Sequence, residues 1–154
     1  MDEIGDTMTD TMRAAVYDRV GAAHEVLGVR ELPRPEPGAG EVRVRVAASG
    51  INPADVKRRA GWRGRTTDMA IIPQGDGAGV IDATGPGVDP ALVGTRVWLW
   101  SVPSDTFLRD GMEMGTAAEY AVVPAGNAVP LPEGASFDAG AALGVPAITA
   151  YHAL

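Results

Sequence analysis

Twenty glycines and twelve prolines punctuate this 154-residue chain, so no stretch is free to run as a long helix. Proline inside a helix removes a donor and clashes with the turn before it, and glycine weakens helix and strand interiors alike. Between the breaks, the clearest pattern has period two. Val42, Val44 and Val46 alternate with Arg43 and Arg45, which predicts a strand over Val42 to Ala48 with one face buried and the other wet. Many short strands between Gly/Pro turns predict an all-β barrel or sandwich.

Other segments read the same way. Met12 to Tyr17, Val26 to Leu32, Gly77 to Ala83, Thr95 to Trp100 and Ala117 to Val123 are further strands. Gly77 and Gly79 mark points of close backbone approach. Gly85-Pro86-Gly87 and Asp89-Pro90 are turn signals. Three short helices are expected. Pro53 to Ala60 has Asn52 as its cap, Pro53 at a position that needs no donor, and Gly61 at its end. Ser136 to Leu143 has Ser136 as N-cap, and Ala147 to Leu154 begins another helix. Arg63 to Ala70 is polar and reads as a mobile loop.

Composition sets the class. One domain is the default for this length. With no cysteine there is no disulfide, which suits a reducing compartment. No apolar run approaches a membrane span, and the acidic start Met1-Asp2-Glu3-Ile4-Gly5-Asp6 is the reverse of a signal peptide. The cytoplasm is the expected location. Net charge is −7, and an acidic chain without a basic tract is a poor nucleic-acid binder. Arg58, Arg59, Arg63 and Arg65 form a local cluster that is either a solvated face or the flank of an anionic cofactor phosphate. Residues 1–11 read as a disordered leader with little to bury, and Met1, Met8 and Met12 are alternative starts.

Several side chains can carry chemistry. Asn52 offers donors and an acceptor without charge, or simply caps its helix. Asp55 sits where a helix N-terminus favours an acid. Lys57 is either a surface lysine or a proton source acting through water. Asp76 lies in Gly75-Asp76-Gly77-Ala78-Gly79, whose spacing is wrong for a dinucleotide fingerprint and which leads into a strand, so Asp76 reads as structural. Thr149 and His152 read as ordinary residues of the last helix, and His24 as surface loop. Trp62, Trp98 and Trp100 are apolar payload for core or pocket wall. There is no G-x-S-x-G elbow and no P-loop.

Taken in order, Glu36-Pro37-Gly38-Ala39-Gly40-Glu41-Val42, Asn52-Pro53-Ala54-Asp55, Gly75-Asp76-Gly77-Ala78-Gly79-Val80, Val93-Gly94-Thr95-Arg96-Val97, Gly115-Thr116-Ala117-Ala118-Glu119-Tyr120 and Ala147-Ile148-Thr149-Ala150-Tyr151 resemble the N-terminal part of the medium-chain dehydrogenase/reductase superfamily. The resemblance runs from about Met12 to Leu154. It implies a mainly β, GroES-like partly open barrel with a few short helices, here without the family's Rossmann domain. In the zinc alcohol dehydrogenases the place of Asn52 is taken by a cysteine ligand and that of Gly75 by a histidine. An amide and a glycine cannot replace them. The resemblance therefore points to the zinc-free quinone oxidoreductase-like branch, which moves hydride from NADPH to a quinone or α,β-unsaturated carbonyl. It implies Asn52, Asp55 and Thr149 near the nicotinamide and a catalytic role for Asn52. Lys57, on the same short helix, is the second catalytic candidate by its own chemistry. Relatives often have Tyr in place of Lys57, which puts simple quinone specificity in question.

Two functions follow. One is the substrate-side half of an NADPH-dependent reductase, inactive alone and completed by a dinucleotide-binding domain from its own chain, a partner or an oligomer. The other is a non-catalytic fragment or a binding and scaffold module.

Overall fold

The computed structural model describes residues 10–100, 108–109 and 111–154. Residues 1–9 of the expected leader lie outside them. Asp10 and Thr11 do not: the Asp10 carbonyl accepts the Arg34 N–H at 2.8 Å, and Thr11 starts the first strand.

The elements in order are β1 (Thr11–Val16), α1 (Ala23–Val26), β2 (Gly28–Pro33), β3 (Glu41–Gly50), α2 (Pro53–Arg59), β4 (Ala70–Ile71), β5 (Asp76–Thr84), β6 (Arg96–Leu99), β7 (Leu108–Arg109), β8 (Met112–Glu113), β9 (Tyr120–Pro124), β10 (Ala128–Pro130), α3 (Phe137–Ala141), a π-helical turn at Leu143–Ala147, and α4 (Ile148–His152). An antiparallel sheet of order β10-β6-β5-β3-β9 forms the curled half-barrel. β1 and β2 form an antiparallel pair, and β4, β8 and β7 a small third sheet. Bridges between Ala14 and Ala118 and between Tyr17 and Ile71 tie β1 and the residue after it to the rest.

β3 is central, paired to β5 on one side and β9 on the other, with bulges between Arg43 and Val44 and between Val46 and Ala48. The bulges bend the strand, which is what closes a sheet toward a barrel. Val42 and Val44 are fully buried, packed with Met12, Ile81, Val97 and Leu99. The other face departs from expectation, because Arg43 is only 6% exposed. It is covered by the Pro-rich loop: its guanidinium donates to Glu36 at 2.6 Å and to Asp82 at 3.0 Å, and lies over the Tyr120 ring. A buried arginine is tolerable when its charge is paired this way.

Gly79 is glycine because a Cβ there would run into the Arg45 carbonyl across the strand pair. Val26 falls in the single turn α1 rather than in β2, since its side chain packs with Tyr17 and Ile71 and not on a ladder. Arg63 to Ala70 is partly ordered by a 3-10 turn at Trp62–Gly64. Of the tryptophans, Trp98 is half-buried, while Trp62 and Trp100 are 48% and 42% exposed. Among the described residues no helix is long and apolar enough to cross a membrane.

Candidate functional site

β3 delivers Asn52 to a cleft. The strand ends at Gly50, and Pro53 opens α2 immediately after Asn52. The Asp55 carboxylate accepts the Asn52 backbone N–H at 2.8 Å, closing the first turn. The Asn52 side chain is not turned to solvent. It is 7% exposed, and its Nδ2 donates to Asp76 Oδ2 at 2.8 Å. Asp76 is placed by register, directly opposite Gly50 where β5 begins. It also accepts the Val145 N–H, at 3.1 and 3.0 Å from its two oxygens. Thr116 Oγ1 donates to the Asp76 carbonyl at 2.6 Å and lies 2.7 Å from Ser49 Oγ, which donates to the Gln74 side chain. Gln74 has φ 76°, a left-handed conformation that a non-glycine residue holds only where its surroundings enforce it.

The cleft has a volume of about 300 Å³. Asn52, Asp55, Arg58, Arg65 and Gly75 supply polar groups and bare backbone, and Ile71, Ile72, Pro73 and Met114 supply an apolar wall. A few polar groups converging in a largely apolar recess is the usual form of a small-molecule site. Deeper in, Arg58 grips both oxygens of buried Glu113. Burial pushes the nearby Tyr17 hydroxyl above its ordinary range.

Burial also pushes the Asp55 carboxyl up; the Asn52 N–H opposes this and the Asp76 charge adds to it. An acid raised by folding is stabilised in its neutral form. Its contribution to stability is therefore greatest in acid and falls as pH rises from its unfolded value through its folded one. Asp55→Asn keeps an oxygen for the Asn52 N–H and removes the buried charge. It should raise the unfolding free energy at pH 7, by less than about 1 kcal/mol because the group is only half-buried. No gain should remain at pH 3.

Residues 38–133 match the alcohol dehydrogenase GroES-like domain family. This chain belongs to that family. It is 36% identical over 120 residues to the quinone oxidoreductase of Rattus norvegicus, covering 78% of this chain and 33% of that protein. Among solved structures it resembles a putative NADPH:quinone reductase from Bacillus thuringiensis, with TM-score 0.76 and 26% identity over 92% of this chain and 39% of the other. It also resembles a mycobacterial protein complexed with NADPH, with TM-score 0.72 and 26% identity over 93% and 39%. The sequence is thus the N-terminal part of a medium-chain dehydrogenase/reductase, and it spans about a third of the length of the rat relative.

In this GroES-like domain Asn52 and Asp55 share one cleft with Gly75. Lys57 is outside it. Its ammonium lies 4.9 Å from the Trp62 ring centre, in a neighbouring recess that shares Ala54, Arg58 and Arg65 with the cleft. Thr149 is exposed on α4 and does not line the cleft. The arginine cluster is mostly spent on the protein itself: Arg58 on Glu113, Arg59 on the Gly21 carbonyl, and Arg63 over Trp62. Only Arg65 of the four lines the cleft without such a bond. His24 and His152 are both on the surface. Nothing in the sequence marks Thr116 or the Val145 N–H for these roles. A lone acid between Met112 and Met114 was the available hint for Glu113.

Proposed function

We propose that this domain is the substrate-side wall of an NADPH-dependent, zinc-independent oxidoreductase that reduces quinones or α,β-unsaturated carbonyls. The observation that carries the reading is Asn52: an uncharged amide, nearly buried, held in place at the floor of a cleft that also contains Gly75. Zinc needs three protein ligands, preferably Cys or His. Asn52 and Gly75 do not supply them, and among the described residues no group of three His, Cys, Asp or Glu is placed to do so. Carbonyl polarisation then falls to hydrogen-bond donors.

NADPH, when bound, supplies the hydride. This chain's own residues orient and protonate. Asn52 and Asp55 would hold the nicotinamide end, and a polar recess with an apolar wall fits that group. Thr149, exposed on α4 outside the cleft, would meet the cofactor only where it leaves the recess. An amide N–H of Asn52 would stabilise the substrate oxygen. Lys57, in the adjoining recess, would deliver the proton by way of water. The partner is a small carbonyl compound; the reading requires neither nucleic acid nor membrane, and places the enzyme in the cytoplasm. Pyrophosphate and adenosine recognition belongs to a Rossmann half, so the 154 residues by themselves should bind NADPH weakly and not turn over.

The test joins the domain to a dinucleotide-binding domain and follows NADPH oxidation with a quinone and an enone. Asn52→Ala should lower kcat/KM about a hundredfold or more, and should cost about 1.5–3 kcal/mol of stability because it removes a donor from buried Asp76. An unchanged rate would leave Asn52 only a structural bond to Asp76. Micromolar NADPH binding with multiple turnovers by the 154 residues alone would overturn the division of labour.

A further inference from the structure

We propose that Asp76 is a positioning residue: its buried carboxylate ties the Asn52 carboxamide to the backbone of the Leu143–Ala147 turn. That this orientation matters to hydride transfer rests on the function proposed above; the tie itself does not.

Asp76 is 2% exposed. Its carboxylate is met by an amide and a backbone N–H, and Arg58 of the same cleft is engaged by Glu113. Burying a carboxylate is costly unless its oxygens are hydrogen-bonded, so a side chain that served only packing would be better as Leu or Asn. The geometry explains the carboxylate. Two donors, Asn52 Nδ2 and the Val145 N–H, converge on one side chain. Both donors meet Oδ2, and the Val145 N–H lies nearly as close to Oδ1, so the carboxylate straddles that N–H with two charged oxygens. A carboxamide could keep one accepting oxygen there but would lose the charge and turn its NH2 group toward Val145.

The second donor exists because the helix is broken there. Gly144 has ψ −112°, outside the helical range. The following N–H bonds to Asp76 instead of to a helical carbonyl. Short π-type irregularities of this kind recur at functional sites. Gly144 itself has an ordinary φ of −65°, so left-handed backbone is not why it is glycine. The reason is proximity, since a Cβ would lie inside contact distance of Asp76 Oδ1. Carboxylate, glycine and broken helix thus form one device.

The consequence is directional. An asparagine side chain can rotate by half a turn at little steric cost, exchanging oxygen for nitrogen. With Nδ2 held by Asp76, that flip is blocked. The order in which Asn52 presents its oxygen and its second N–H is then set by the segment leading into α4.

The experiment is hydrogen exchange and side-chain amide NMR on the full ¹⁵N-labelled chain, comparing Asp76→Asn with the parent. A hydrogen bond to a charged group contributes about 1.5–3 kcal/mol, so Val145 exchange should accelerate about tenfold or more. The two Asn52 Nδ2 protons should also move toward the shifts of a free amide. Amides of the central strand, such as Val44, should keep their protection. Unchanged Val145 and Asn52 signals would overturn the tie, as would equal loss of protection at every amide. If Asp76→Asn does not fold, Gly144→Ala displaces the turn while leaving the carboxylate intact. The same split is expected, and full Val145 protection there would equally overturn it. In the joined enzyme Asp76→Asn should lower kcat more than it raises KM. If Asn52→Ala lowers kcat and Asp76→Asn does not, the positioning role fails. If neither lowers it, the hydride-transfer reading fails while the exchange data still decide the tie.

Discussion

Arg58→Met should destabilise the fold by about 3 kcal/mol, because it leaves an unpaired carboxylate buried beneath the cleft. Glu113 is 4% exposed, and both its oxygens are held by the Arg58 fork. Arg58 itself is only partly buried, and its stem can be replaced by Met with little loss of contact. What is lost is the charge that makes the Glu113 site tolerable. The double variant Arg58→Met with Glu113→Gln should recover much of the loss, since an amide needs only hydrogen bonds. Urea denaturation at pH 7 reads both results. A single-variant cost below 1 kcal/mol at pH 7 would mean that water reaches Glu113.

Gly115→Ala should cost a comparable amount, about 3 kcal/mol, through crowding that cannot relax. A Cβ at this position would lie within contact distance of three carbonyl oxygens, those of Ile72, Pro73 and Gln74. All three are backbone, so no flexible side chain can swing away. These carbonyls belong to the segment that walls the cleft, and the neighbouring Thr116 N–H donates to the Gln74 carbonyl at 2.8 Å. The substitution should therefore lower the thermal midpoint and disturb the cleft together. Gly111→Ala is the contrast. Its φ of 75° costs backbone strain, but a Cβ there meets nothing within 4 Å. Equal effects at the two glycines would show that backbone conformation, and not crowding, decides the first.

The features legible in the sequence were local ones. The alternation Val42, Val44, Val46 found the central strand, and Asn52-Pro53 found the start of α2. Ser136 accepts the Ala139 N–H at 3.1 Å, as a cap should. Each signal depends on residues a few positions apart. What was not legible is set by pairing across the chain. Alternation puts Arg43 on a wet face because it cannot see the Glu36 loop that covers it. The strands β4, β7 and β8 are two residues each, too short to show any period. Arg58 and Glu113 are 55 positions apart, so neither announces the other. The sequence marks Asp76 as structural without showing what it holds. Its hold on Asn52 depends on β3 lying beside β5, and its hold on Val145 on where the chain bends after α3.

The first described strand closes on the residue just before β9. Arg13 grips Glu119 across 106 positions, and the Arg13 N–H adds a bond to the same carboxylate at 2.8 Å. Closing so long a loop costs only slightly more free energy than closing one half its length, because the entropy grows as a logarithm. Its effect on rate is larger. Chains built on such distant pairings fold in roughly milliseconds to seconds, far slower than helical bundles. Until β1 docks, its inner residues Met12, Ala14 and Val16 face water instead of the core they finally enter. In that interval the concentration of chains, more than the stability of the finished barrel, decides between folding and association.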